Sequence, residues 1–124
     1  MRYLLDTHIF IWAMEKNKRL TQDIKAKISD PNNDVFVSII TVWEIILKKR
    51  KGLKVPRDIV SGIYKSNFIL LSMDINHVLG IEKLPYIHKD PFDRILVSQA
   101  LAENLTLVTS DAKIWKYKVS LIKA

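Results

Sequence analysis

Four acidic residues lie beside apolar segments, in positions from which their carboxylates could together hold a divalent metal ion. Asp6 directly follows the apolar segment Tyr3-Leu4-Leu5, and Asp111 directly follows a second such segment. Glu44 and Asp93 each lie near the start of an apolar helical segment. Carboxylates that converge in one crevice repel one another, and a hard divalent cation relieves this repulsion. Mg²⁺ or Mn²⁺ is the expected ion, because the chain has no cysteine and its three histidines lack the paired spacing of zinc sites.

A metal ion held by carboxylates suits the hydrolysis of phosphodiester bonds. Such an ion lowers the pKa of a bound water, orients that water for in-line attack and neutralises charge on the phosphate. The pattern therefore indicates metal-dependent phosphodiester hydrolysis, with either one ion or two.

Each of these acids also has a structural interpretation at a helix start. Thr41-Val42-Trp43-Glu44 matches a capping box, and Asp90-Pro91-Phe92-Asp93 matches a helix start whose first acid is the N-cap. Ser110 or Asp111 could cap a short helix. Glu44, however, has apolar neighbours in the sequence, and a carboxylate among such neighbours is costly unless a partner compensates its charge.

Short apolar strands alternate with helical stretches along the chain. The pattern predicts strands at 2–5, 35–38, 68–71, 106–109 and 119–122, and helices at 7–15, 21–29, 41–50, 74–83 and 91–104. Thr7 is the expected N-cap of the first helix, a further helix begins around Pro56, and a short helical piece lies near 113–117. This alternation predicts an α/β fold, a three-layer sandwich with a central, mostly parallel sheet.

The acids are expected at one edge of that sheet. In open parallel sheets, sites form in the crevice beyond the carboxyl ends of the strands. Asp6, Glu44 and Asp111 all follow strands and would share that edge. Asp93 reaches it only if its helix begins there.

Length and composition indicate a single domain over 1–124 with an anionic partner. The chain has 124 residues, no cysteine and a net charge of +7 from 20 basic and 13 acidic residues. This excess favours binding to nucleic acid, an acidic protein or both. No apolar run approaches the roughly 20 residues that cross a bilayer, and the N-terminus lacks a signal-peptide pattern, so we expect a cytoplasmic protein without a membrane partner.

Basic and aromatic residues offer candidates for contacts with partners. Lys48, Lys49, Arg50 and Lys51 form the densest basic cluster, which is either a phosphate-contacting, nucleic-acid-binding patch or a solvated helix end. Arg94 could steady a carboxylate, contact a phosphate or form a structural ion pair. The three tryptophans are expected in the core or at an interface, and the segment Phe10-Ile11-Trp12 is a candidate for a surface that a partner covers.

Four segments, taken together, resemble the PIN domain family. They are Leu4-Leu5-Asp6-Thr7-His8, Thr41-Val42-Trp43-Glu44-Ile45, His88-Lys89-Asp90-Pro91-Phe92-Asp93-Arg94 with Gln99-Ala100, and Leu107-Val108-Thr109-Ser110-Asp111. Each segment alone is weakly specific, but all four occur in the order and spacing of that family. The chain is most similar to the branch of VapC-type toxins that carries a DPFDR segment.

The resemblance implies an α/β/α sandwich and an endoribonuclease site that depends on Mg²⁺ or Mn²⁺. It also implies a homodimer, and neutralisation by a cognate antitoxin protein whose C-terminal segment wraps the toxin. By position, the family's acidic residues correspond to Asp6, Glu44, Asp93 and Asp111. Thr7 and Ser110 match small polar residues that often accompany those acids.

One acidic position is ambiguous, because both Asp90 and Asp93 precede the apolar helix. Asp93 is favoured as the site acid, since a short apolar run follows it as in the family pattern. Asp90 is then mainly the helix cap.

Other functions remain open on the sequence alone. A haloacid-dehalogenase-type phosphatase needs a second aspartate two residues after the first, where this chain has His8. A response-regulator receiver needs adjacent acids after its first strand and a lone aspartate after its third, and Asp74 at that place reads better as a helix cap. The non-enzymatic alternative is an RNA- or partner-binding module on the same fold, in which the acids are only structural.

Overall fold

The computed structural model describes residues 1–55 and 58–124, and these residues contain a central sheet of five parallel strands. The strands are β1 Arg2–Leu5, β2 Asp34–Ser38, β3 Ile69–Leu71, β4 Thr106–Thr109 and β5 Leu121–Lys123. They lie in the order β3-β2-β1-β4-β5. The order reverses at β1, so the crevice at the carboxyl end of this strand is where a site is expected.

Helices connect the strands and cover both faces of the sheet. Those in the described residues are α1 Thr7–Glu15, α2 Gln22–Ser29, α3 Ile39–Lys49, α4 Ile59–Lys65, α5 Ile75–Gly80 and α6 Pro91–Glu103. Ile81–Lys83 and Ile114–Lys116 form single turns of 3₁₀ helix. The predicted α/β class is therefore confirmed.

The two faces of the sheet bury separate apolar clusters, because side chains alternate along each strand. Leu4 of β1 packs on one face with Leu96 of α6 and Leu107 of β4. Its neighbour Leu5 packs on the other face with Phe10 of α1 and other core residues. The predicted three-layer sandwich is confirmed by this division.

Helices α1 and α3 begin at the carboxyl edge of the sheet; α1 has the predicted bounds but a different cap, and α3 begins two residues earlier than predicted. Asp6, not Thr7, caps α1, and its carboxylate accepts a hydrogen bond of 2.9 Å from the Ile9 amide. Ser38 caps α3 by accepting from the Ile40 amide at 3.0 Å. The predicted capping box at 41–44 is therefore wrong, and Glu44 lies in the second turn with its carboxylate available for other partners.

Helix α6 also begins at this edge. Asp90 is its N-cap, accepting from the Phe92 amide at 2.8 Å, and Pro91 occupies the first helical position. The helix ends at Asn104 in the left-handed conformation, with φ of 55°. Both ends agree with the prediction, and the start brings Asp93 to the edge where the other acids lie.

Other element bounds differ modestly from the predicted ones. The predicted helix 74–83 is α5 followed by a 3₁₀ turn, because Asp74 caps the helix and the α-helical pattern stops at Gly80. The predicted helix start at Pro56 lies outside the described residues, and α4 begins at Ile59 after its N-cap Asp58. None of the helices in residues 1–55 and 58–124 combines the length and apolar character needed to span a bilayer.

Candidate metal-binding site

A cavity of about 170 Å³ opens at the carboxyl ends of β1, β2 and β4, and acidic residues dominate its lining. The lining residues are Asp6, Thr7, His8, Glu44, Lys48, His88, Asp90, Asp93 and Asp111. All four acids that the sequence singled out are thus brought to one place. They come from four different elements, and each is positioned by a different local structure.

Asp6 lies at the end of β1 and is almost fully buried, with 4% of its surface exposed. Its backbone amide donates to the carbonyl of Val108 at 3.0 Å, which ties it to the neighbouring strand β4. Burial raises the pKa of its carboxyl group, and hydrogen bonds from Thr109 and Ile9 only partly oppose this rise. A bound cation would stabilise the ionised form that burial disfavours.

Glu44 projects from α3 into the cavity and is 2% exposed. The hydroxyl of Thr7 donates to its Oε1 at 2.6 Å, and the ammonium group of Lys48 lies 2.5 Å from its Oε2. Burial alone would lower the pKa of Lys48, but the hydrogen bond and charge of Glu44 outweigh it and raise that pKa. These two partners fix both carboxylate oxygens of a buried acid, as burial of a charge requires.

Asp93 and Asp111 meet at the ring of His88. The Nε2 atom of His88 lies 3.0 Å from Oδ2 of Asp93 and 2.8 Å from Oδ2 of Asp111. Burial and the nearby charge of Asp90 raise the pKa of Asp93 to about 7, against a lowering effect of His88. Burial would also raise the pKa of Asp111, but hydrogen bonds from His88 and the Lys113 amide outweigh it and lower that pKa.

Asp90 lines the same cavity, but one of its carboxylate oxygens is committed to the cap of α6. Asp93, one turn later in the helix, has no such cap and contacts His88 instead. This division of contacts favours Asp93 as the site acid and Asp90 as the structural one.

Not all of the auxiliary residues expected from the sequence contact the site acids. Thr7 contacts Glu44 directly. Ser110 is half-buried and is not among the residues that line the cavity. Arg94 is turned away from the acids: its guanidinium group donates to the carbonyls of Pro85 and Ile81, so neither a carboxylate contact nor an ion pair forms in the described residues.

The basic cluster is also divided. Lys48 is held in the cavity by Glu44, whereas Lys49, Arg50 and Lys51 are exposed where α3 ends. The cluster therefore contributes one cation to the cavity and three to the surface.

The aromatic predictions are partly wrong. Phe10 and Ile11 are buried in the core, because α1 directs them onto the sheet, so they cannot form a partner surface. Trp12 packs against the same core, and Trp115 is half-buried. Trp43 is 54% exposed and packs edge-on against Phe92, which agrees with an interface role better than with a core role.

Two site residues were missed by sequence reasoning, His88 and Thr109. His88 was considered only as a zinc ligand, and its position two residues before a helix cap was the available signal. Thr109 ends a buried strand; its side chain accepts from the Asp111 amide at 3.0 Å and hydrogen-bonds to Asp6. Its position two residues before Asp111 was the only sign of this role.

The arrangement fits a hard divalent cation. Carboxylate oxygens of Asp93 and Asp111 and a ring nitrogen of His88 all lie within 4.8 Å of one another, and Asp6 and Glu44 line the same cavity. A donor set rich in carboxylate oxygens is the type that Mg²⁺ and Mn²⁺ prefer. Burial, and for Asp93 also the charge of Asp90, raises the pKa values of Asp6 and Asp93, and a bound cation would offset both effects.

Comparison with known families and structures gives consistent matches. The family model described as PIN domain matches residues 3–119. No curated protein sequence matches the chain.

Several crystal structures share the fold over almost the whole length. A chain of VapBC2 from Rickettsia felis, bound to a DNA fragment from their promoter, superposes with a TM-score of 0.74 at 21% identity, covering 99% of this chain and 98% of that one. For DNA-bound VapBC from Salmonella typhimurium the TM-score is 0.71 at 18% identity, with 99% and 98% covered. For VapBC-1 from nontypeable Haemophilus influenzae the TM-score is 0.68 at 20% identity, covering 99% of this chain and 98% of that one.

Proposed function

The chain belongs to the PIN domain family, and from that premise we propose that it is a metal-dependent endoribonuclease that hydrolyses RNA phosphodiester bonds. The observation that carries this proposal is the meeting of Asp6, Glu44, Asp93 and Asp111 in one cavity at the carboxyl edge of the sheet. Four carboxylates that could hold a metal ion, in a domain with an excess of seven positive charges that would attract a polyanion, support this proposal.

Asp6, Asp93 and Asp111, with Glu44, are the residues that would hold Mg²⁺ or Mn²⁺. When bound, the ion supplies Lewis acidity and a water of lowered pKa for attack on phosphorus. The protein contributes the fixed positions of the acids. Asp6 is held by the α1 cap and Asp111 by the Lys113 amide, which donates to it at 2.8 Å.

Glu44 and Lys48 prepare the same site for an anionic substrate. Their ion pair, supported by Thr7, holds a positive charge within a cavity lined mostly by acids. An ammonium group at this place can shift from the carboxylate to a phosphate oxygen as RNA enters. Lys49, Arg50 and Lys51 extend that positive charge outward along the end of α3.

We further propose that this ribonuclease is the toxin of a toxin–antitoxin pair and acts in the cytoplasm. The support is the shared fold with chains of VapBC complexes, together with the family resemblance of the sequence. An apolar surface is available for the antitoxin or for a second copy of the chain in a homodimer. It includes a cavity of about 190 Å³ lined by Ile39, Val42, Val60, Ile63, Tyr64 and Leu70.

The test of the nuclease is metal-dependent cleavage of labelled structured RNAs by the purified, antitoxin-free protein. Cleavage should appear with Mg²⁺ or Mn²⁺ and stop with EDTA. Asp6→Asn should reduce it on the order of 100-fold, comparable to loss of one essential electrostatic group. Asparagine is as good an N-cap as aspartate, so α1 should still form, which circular dichroism can verify.

Asp23→Asn is the matched control, since Asp23 is an exposed acid on α2 and lies outside the cavity. It should leave cleavage unchanged. Tight RNA binding without cleavage under every metal condition would contradict the proposal and favour the non-catalytic binding module.

A further inference from the structure

We propose that His88 is a positioning residue: its Nε2–H group clamps Asp93 and Asp111 together, and His88 does not itself ligate the metal ion. The inference rests on the proposed function, because it concerns the acids of the same site. It assigns a role to a residue that the carboxylate pattern leaves unexplained.

The imidazole ring is fixed by contacts at several points. His88 is 8% exposed, and its backbone amide donates to the hydroxyl of Tyr117 at 2.9 Å. Its Nδ1 atom accepts from the backbone amide of Asp90 at 3.1 Å. Its Nε2 atom faces Oδ2 of Asp111 at 2.8 Å and Oδ2 of Asp93 at 3.0 Å.

The hydrogen-bond network assigns the tautomer of this ring. A nitrogen that accepts from an N–H group offers its lone pair and carries no proton, so Nδ1 of His88 is unprotonated. The single proton of the neutral ring is therefore on Nε2, where Oδ2 of Asp111 accepts it and Oδ2 of Asp93 lies 3.0 Å away as an ion-pair contact. This N–H group, bonded to Asp111 and in contact with Asp93, holds the two acids side by side against their repulsion.

Ligation of a metal ion through Nε2 would require the opposite tautomer. The ring would have to carry its proton on Nδ1, directly facing the N–H group of Asp90. That arrangement removes the hydrogen bond from the Asp90 amide to Nδ1. It also places two N–H donors, those of His88 Nδ1 and the Asp90 amide, face to face at the start of α6. Because Asp90 is the N-cap of α6, its backbone is fixed and the Nε2–H tautomer is locked.

The clamp leaves the acids able to bind a metal ion. Each carboxylate oxygen has two lone pairs, so Oδ2 of Asp111 can accept from His88 and still face a cation, and Oδ2 of Asp93 keeps both of its lone pairs. Histidine thus sets the separation of the two acids before the ion arrives. Groups that orient metal ligands in this way are worth about 10- to 100-fold in metal affinity.

Two variants, His88→Gln and His88→Asn, test the donor role of Nε2 and the acceptor role of Nδ1 separately. The terminal nitrogen of glutamine lies as many bonds from Cα as Nε2 of histidine, so His88→Gln keeps a donor for the acids. Asparagine is one carbon shorter, so His88→Asn retains an acceptor for the Asp90 amide but no donor that reaches the acids. His88→Asn therefore keeps the contact that holds this turn in place and removes only the donor that faces the acids.

Calorimetric titration with Mn²⁺ alone, at pH 8 and without RNA, provides the first readout. We expect His88→Asn to bind Mn²⁺ at least 10-fold more weakly than the wild type, and His88→Gln to stay within about 3-fold. Equal affinity in the wild type and in folded His88→Asn would overturn the proposal.

The tautomer itself is read by ¹⁵N NMR of the imidazole, with and without saturating Mg²⁺. The expected result is a protonated Nε2 and an unprotonated Nδ1 in both states. A proton that moves to Nδ1 when Mg²⁺ binds would make His88 a ligand and overturn the proposal. Neither readout needs RNA cleavage: an inactive wild type with both expected results would refute the nuclease and leave the clamp standing.

Discussion

Asp93 is the residue on which burial and neighbouring charge act together most strongly. It lies in the first turn of α6, faces His88 and shares its cavity with the other site acids. Desolvation and the charge of Asp90 disfavour its ionised form, so its pKa is about 7 instead of 3.8. A carboxyl group that titrates near neutral pH without a metal ion gains most from binding one.

The raised pKa of Asp93 predicts that the metal-free protein becomes less stable as the pH rises. The unfolded chain loses the Asp93 proton near pH 4 and the folded chain only near pH 7, so stability falls as pH rises between these values. Asp93→Asn removes the titrating group. In EDTA at pH 8, the variant should be more stable than the wild type by roughly 1–3 kcal/mol, at about 1.4 kcal/mol per pKa unit with allowance for partial solvation.

Urea unfolding from pH 4.5 to 8 measures this difference. The gap between Asp93→Asn and the wild type should close toward pH 4.5. Glu15→Gln, at an exposed acid where α1 ends, is the control and should follow the wild type. A constant gap across the pH range would show that Asp93 does not titrate as described.

The sequence shows which residues are neighbours along the chain, but not the direction in which each side chain leaves a helix. The acids at the site could therefore be predicted, whereas the contacts of Arg94 could not. Asp93 and Arg94 are adjacent, yet successive helical residues are about 100° apart, and Arg94 is directed to Pro85 and away from the acids. His88 lies in a loop without periodicity, so no pattern indicated that its ring faces two carboxylates.

At the scale of elements, the helix starts position the site. α1, α3 and α6 each begin at the carboxyl edge of the sheet, capped by Asp6, Ser38 and Asp90. Strand and helix types were predictable because apolar and polar residues alternate in clear periods. The start of α3 was not predictable, because Thr41 and Glu44 match a capping box, whereas the true N-cap, Ser38, is the last residue of β2.

The cap of α6 yields a prediction that separates Asp90 from Asp93. Asp90→Ala removes the acceptor for the Phe92 amide and should lower the free energy of unfolding by about 1 kcal/mol. It should reduce RNA cleavage much less than Asp93→Asn, whose carboxylate is a proposed metal ligand. Chemical unfolding and cleavage rates measured on both variants check this. A stable but inactive Asp90→Ala would exchange the two assignments.

At the scale of the whole molecule, five acids and one lysine line the cavity, whereas most of the basic residues lie outside it. The chain carries a net charge of +7, and the exposed end of α3 supplies Lys49, Arg50 and Lys51. Net charge and composition predicted an anionic partner, but only the folded chain shows which cations stand beside the site and which, like Lys48, are already paired.

This distribution predicts the salt dependence of RNA binding. Changing Lys49, Arg50 and Lys51 together to Gln should weaken RNA binding and flatten the slope of log affinity against log salt, by about 0.7 for each single-strand phosphate that these side chains no longer neutralise. The control changes three other exposed lysines, Lys18, Lys65 and Lys118, to Gln and so has the same net charge. Equal slopes in the two triple variants would show that the end of α3 is only solvated.

The position of β4 in the sheet has a consequence for synthesis of the protein. β4 pairs with β1, which lies at the other end of the chain, and Asp111 follows β4 directly. A nascent chain that has not yet delivered β4 from the ribosome holds Asp6 and Glu44 without Asp111. The proposed nuclease would therefore lack one of its four acids until β4 and the residues that follow it have left the ribosome.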